Sequence, residues 1–163
     1  MVDIENRAER AKSLFKDDGY NCCQSVLLAY SDMTALSHEA LATISAPFGG
    51  GMGRLREVCG AVSGMLMVSG FCERAHDPKD REAKKRSYAT VQLLAEEFSS
   101  LSGSIICREL LSGDILKDRS SVPEKRSEEY YKKRPCAELV AQAARIVGHY
   151  INEREAKDEK ISG

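Results

Sequence analysis

Apolar residues recur three and four positions apart along most of the chain, and no long alternating apolar/polar segment appears. That spacing predicts amphipathic helices rather than strands. The first helix is expected over about Asp3 to Asp17, with Ile4, Ala8, Ala11, Leu14 and Phe15 on one face and Gly19 as its stop. Asn21 can cap a second helix that carries Val26, Leu27 and Tyr30. A third begins near Ser37, carries Leu41 and Ile44, and ends before Pro47. Ala40 stands where a capping box would need a glutamate or glutamine, so no box is expected there.

A glycine-rich turn, Gly49 to Gly53, precedes a central helix expected from about Arg56 to Cys72. Asp77-Pro78 reads as the start of a fifth helix that runs to about Leu101, with Tyr88, Val91, Leu94, Ala95 and Phe98 facing inward. Its charged beginning, Lys79 to Arg86, reads as a solvated face. Ser104 can cap a short helix through Cys107 to Leu111, and Ser112 to Ser127 reads as a polar loop. The last helix is expected from about Pro135 to Glu155, on a stripe of Ala137, Val140, Ala141, Ala144, Val147 and Ile151. The sum is an all-α, single-domain bundle of about five to six helices over residues 1–155, with 156–163 as a flexible tail.

The 163 residues fit one domain and can bury a core without disulfide staples. Basic and acidic residues number 24 and 25, so nucleic acid and anionic membrane surfaces are not expected partners. The polar first residues do not read as a secretory signal, and the longest apolar stretch, Cys59 to Cys72, falls short of a membrane span. A cytoplasmic protein is expected. In a reducing compartment, six cysteines point to metal binding or redox work rather than to structural disulfides.

Four of the six, Cys22, Cys59, Cys107 and Cys136, fall where helices are expected to begin. A helix start carries unpaired N–H groups and partial positive charge, both of which favour a thiolate. The blander reading is that each is a small core hydrophobe. No Cys-x-x-Cys pair occurs, which disfavours a thioredoxin-type dithiol and a zinc ribbon, and no haem-attachment motif is present. A site built from these four must therefore be assembled by the fold. Cys23 adjoins Cys22, about 100° around the helix, so at most one of that pair is a ligand. Cys72 lies at the far end of the central helix from Cys59 and reads as a packing residue.

Gly60 and Gly64 place small residues on one helix face, which permits close helix packing or a homodimer. The glycine turn lacks the Gly-Lys-Ser/Thr ending of a nucleotide loop. Arg54 and Arg56 beside it can bind an anion, keep thiolates ionised, or simply face solvent. His38, His76 and His149 are scattered, with surface or capping roles expected.

Five segments carry a resemblance: Gly19-Tyr-Asn-Cys-Cys-Gln24, Phe48-Gly-Gly-Gly-Met-Gly-Arg54, Cys59-Gly-Ala-Val-Ser-Gly64, Cys107-Arg-Glu-Leu110 and Pro135-Cys136. In this order they resemble the small redox-active proteins named for their C_GCAxxG_C_C pattern. The resemblance maps the family's signature cysteines onto Cys22, Cys59, Cys107 and Cys136, and leaves Cys23 and Cys72 outside. It implies redox chemistry at those four, with an iron–sulfur cluster for electron transfer as the foremost expectation and a redox partner protein. A metal-free thiol–disulfide protein and a zinc-stapled structural or binding module are the alternatives, since the same four ligands serve each.

Overall fold

The computed structural model describes residues 1–162. It is all-helical, with no strand among the described residues. Eight right-handed helices are α1 Ile4–Lys16, α2 Cys22–Leu28, α3 His38–Ser45, α4 Gly60–Glu73, α5 Arg81–Ser102, α6 Cys107–Leu110, α7 Glu128–Lys132 and α8 Cys136–Ser162. Helix α4 is central: α2, α5 and α8 all pack on it, and α1 lies along α8. Val62, Met65, Leu94, Phe98, Val140 and Val147 fill the space between them, fully or almost fully buried. No helix is long and apolar enough to cross a membrane, among the described residues.

Helices begin where side chains can satisfy their first N–H groups. Asp3 accepts from Asn6 N and Ser37 from Ala40 N. Asn21 and Gln24 form a full reciprocal capping box, which adds to the expected single cap. Helix α5 is capped by Asp80, not Asp77, and so starts later than expected. Asp77 instead bonds Lys79 N in the preceding turn.

One inward assignment is corrected. Tyr88 is more than half exposed, because the buried stripe of α5 runs through Ala83, Thr90, Leu94 and Phe98. On α3, Leu41 is buried and Ile44 is half exposed. Helix α8 continues beyond the expected end at Glu155 to Ser162, and Gly163 lies outside the described residues.

The central helix is also shorter than expected at its start. Arg56–Val58 is not helical, and Cys59 is the N-cap of α4 rather than a residue inside it. The reason is a competing pairing. Val58 and Ile106 form a lone antiparallel bridge, Cys59 N donates to Ile105 O at 2.8 Å, and Cys107 N donates to Glu57 O at 2.6 Å. Ser104 correspondingly accepts from Ile106 N in the turn before α6 and does not cap that helix.

Before this bridge lies a left-handed turn. Gly50, Gly51, Met52, Gly53 and Arg54 have φ between 58° and 69° in succession, and Arg56 follows at 61°. Glycine adopts this conformation without steric cost, whereas Met52, Arg54 and Arg56 hold it against their Cβ atoms. The turn closes by Arg56 N and Glu57 N donating to Gly50 O and Gly51 O.

Candidate functional site

The fold gathers all four helix-start cysteines. Cys22, Cys107 and Cys136 are the first residues of α2, α6 and α8, and Cys59 caps α4. Together they line a cavity of about 60 Å³ with Arg56, Arg126, Tyr130 and Arg134. Glycines let the cysteine-bearing segments approach. A Cβ on Gly60 would lie 3.0 Å from Cys22 Cβ, and one on Gly51 would lie 2.6 Å from Cys107 Cβ. A Cβ on Gly64 would lie 2.6 Å from Cys23 O, so the small face of α4 is filled by α2 of the same chain. That face therefore packs within the chain, where a homodimer contact was one expectation.

Asn21 fixes the entrance of α2. Its Oδ1 accepts from Gln24 N, its own N donates to Gln24 Oε1, and its Nδ2 donates to Ala46 O at 2.9 Å. Asn21→Ala removes the cap and the tie to Ala46. The expected cost is about 1–2 kcal/mol in urea denaturation. A loss below about 0.5 kcal/mol would show that the cap does not hold α2 in place.

The thiols differ in electrostatic setting. Cys136 shares a hydrogen bond with Cys22. This bond holds Cys136 below the ordinary thiol value against its burial, with help from Arg134, Arg126 and Arg56. The same bond pushes Cys22 well up, and burial adds to that. Burial pushes Cys59 up to about 12, although the backbone N–H groups of Ala61 and Val62 at the start of α4 favour its thiolate. Cys107 is also raised by burial, despite Arg56 Nη1 at 4.0 Å from its sulfur. The expectation that a helix start favours the thiolate at all four is thus corrected. Desolvation outweighs the helix terminus at Cys59 and Cys107, while at Cys22 the bond to Cys136 favours the protonated form first.

Cys23 and Cys72 lie apart from this cavity. Cys23 is fully buried with its sulfur 3.8 Å from that of Met67, and burial raises it to about 12. Cys72 faces Val68 O on its own helix and lines a separate cavity near Tyr30. His38 packs edge-on to Tyr20, and His76 Nδ1 lies 2.9 Å from Arg74 O.

Sequence reasoning missed Arg126, Tyr130 and Arg134. Arg126 lies in the segment read as a polar loop, yet its guanidinium stacks on Phe15 and Tyr130 and donates to Phe15 O and Tyr20 O. Arg134 is buried, stacks on Tyr130 and pairs with Glu124 at 2.6 Å. A signal was present: two adjacent tyrosines within a basic segment directly before Pro135-Cys136.

As arranged, the described residues contain no group of three or more histidines, cysteines or carboxylates that could hold a metal ion. The cysteines therefore do not fit a single ion such as zinc in this arrangement. A model of the family described as "Putative redox-active protein (C_GCAxxG_C_C)" matches residues 20–150. No curated protein and no solved structure matches the chain.

Proposed function

Because the chain belongs to the C_GCAxxG_C_C family of redox-active proteins, we propose that it works by dithiol–disulfide exchange between Cys136 and Cys22. The observation that carries this reading is that Cys22 and Cys136 line one small cavity beside three arginines, where the Cys22 thiol and the guanidinium charges lower Cys136, and Cys136 in turn raises Cys22. Cys136 is the attacking thiolate and Cys22 the resolving thiol. Cys136 attacks a disulfide of an oxidised partner, forming a mixed disulfide and releasing one partner thiolate. Cys22 then attacks the Cys136 sulfur and expels the second partner thiolate, and the Cys22 proton goes to a leaving group. Two electrons pass from protein to partner, and the protein keeps a Cys22–Cys136 disulfide. Buried Cys59 and Cys107 stay protonated and line the same cavity. A reducing compartment such as the cytoplasm would return the pair to the dithiol, which is the state described for all six cysteines.

A second reading keeps Cys22, Cys59, Cys107 and Cys136 as ligands of an iron–sulfur cluster for electron transfer. The observation favouring it is that the four line one cavity, with the backbone N–H groups of Ala61 and Val62 favouring a thiolate at Cys59. A cluster is wider than one ion and takes its ligands from further apart, while N–H···S bonds tune its potential. The experiment is purification without oxygen, followed by iron, zinc and sulfide analysis and by peptide mapping after mild oxidation. The exchange reading expects no stoichiometric metal or sulfide and a Cys22–Cys136 cross-link. Iron with equimolar sulfide would replace it with the cluster reading. A cross-link joining a different pair would overturn the assignment of roles.

A further inference from the structure

Next to the cysteine cavity is a larger one, of about 310 Å³, within the range of small-molecule sites. Arg54, Arg56, Arg126 and Arg134 line it, against a single lining carboxylate, Glu124. Arg54 also pairs with Asp118 at 2.8 Å just beyond the lining, and Arg134 pairs with Glu124. Arg56 donates to the Cys107 sulfur and Arg126 to two backbone carbonyls, and neither makes an ion pair among the described residues. Four guanidinium charges thus meet two carboxylates. In the same wall, Arg54 Nε, Arg54 Nη1 and Arg56 Nε are buried without a hydrogen-bond partner, among the described residues. Buried donors are normally paired, so these three mark an unfilled demand for acceptors.

The backbone brings these arginines together at a cost. Arg54 and Arg56 both hold positive φ, at 69° and 61°. Gly50 makes room for them: a Cβ there would lie 3.0 Å from Arg54 Cγ and 3.6 Å from Arg56 Nη1. Strain that persists in one place and serves to cluster like charges points to a ligand that compensates it.

We propose that this cavity binds a small organic dianion through its carboxylate or phosphate oxygens. Guanidinium forks match both groups in shape and charge. The volume leaves room for carbon beyond the anionic group, and the net positive wall calls for two negative charges. Arg56, Arg126 and Arg134 line both cavities, so the bound dianion lies against the sulfur site. That the dianion is also a substrate of those thiols rests on the exchange reading above. Its binding does not.

The test is calorimetric titration of the whole protein at low ionic strength with succinate in one arm and glycerol phosphate in the other. Saturable binding of either probe at millimolar concentration or below is expected, and the arm that binds more tightly identifies the anionic group. Arg56→Gln should weaken binding about tenfold or more, the loss of one charge-assisted contact. Arg145→Gln, which pairs with Glu5 outside both cavities, should leave it unchanged. In the unaltered protein, the Nε–H resonances of Arg54 and Arg56 should move on titration, which keeps the test open if a variant fails to fold. Cys136→Ser should keep binding while losing exchange, so failure of the exchange reading and failure of the cavity are separate results. No saturable binding in either arm, equal weakening by Arg56→Gln and Arg145→Gln, or unmoved Arg54 and Arg56 resonances would overturn the proposal.

Discussion

At neutral pH, Cys136 should alkylate faster than every other cysteine in the chain, and faster than Cys59 by about a thousandfold or more. The size follows from proton occupancy. A thiol raised to about 12, as Cys59 is, has roughly a thousandth of the thiolate of an ordinary thiol. Cys136 lies below the ordinary value and has more thiolate still. The sign is set by the Cys22 hydrogen bond and the nearby arginines, which together outweigh burial. The rate should therefore rise with pH through a midpoint below that of a free thiol. Cys22→Ala removes the bond and should move the midpoint upward, whereas Cys22→Ser retains a donor and should move it less. Cys136→Ser should remove the fast phase altogether. Timed iodoacetamide labelling with mass spectrometry checks all three. A fast phase that maps to Cys59 or Cys107, or a midpoint indifferent to Cys22→Ala, would refute the assigned roles.

A large loss of stability is expected from Gly64→Ala. Its methyl would meet the Cys23 carbonyl oxygen at 2.6 Å and Val26 Cβ at 3.0 Å, so α2 and α4 would have to separate. Overpacking of a tight contact costs about 1–3 kcal/mol, and here the obstacle is backbone that cannot rotate away. The gain in helix propensity offsets about 1 kcal/mol at most. With the rigid obstacle placing the cost at the upper end of that range, a net loss of about 1–2 kcal/mol is expected. Gly70→Ala, on the same helix with nothing within 4 Å, is the internal control and should stabilise by about 0.5–1 kcal/mol. Urea midpoints of the two variants should move in opposite directions. If both stabilise, the glycine face is not what sets the separation of α2 and α4. Because Cys22 starts α2 and Cys59 caps α4, Gly64→Ala should also slow the Cys136 reaction by pulling its partner away.

The segments that sequence reasoning placed well are those whose signals are local. Helix α1 shows its stripe and its Asp3 cap, and Asn21 and Ser37 announce α2 and α3, because caps and 3.6-residue periodicity act within a few residues. The helix-start positions of the cysteines are legible for the same reason. What required the tertiary structure depends on partners far along the chain. The Arg56–Val58 stretch looks helical by composition, but the N–H groups of Arg56 and Glu57 close the left-handed turn and their carbonyls accept from Arg108 and Cys107, about fifty residues away, which delays the start of α4. Tyr88 lies outward because α5 is rotated to bury Thr90 instead.

The chemistry divides along the same line. By itself the sequence determined an all-α chain, a set of four cysteines at helix starts and the glycines beside them, since each is a property of neighbouring residues. Only the tertiary structure decided that the four share one cavity, that Arg126 and Arg134 arrive beside them, and that Cys136 alone is favoured as a thiolate. A pKa depends on burial and on charges brought near by folding, and neither is a property of sequence neighbours.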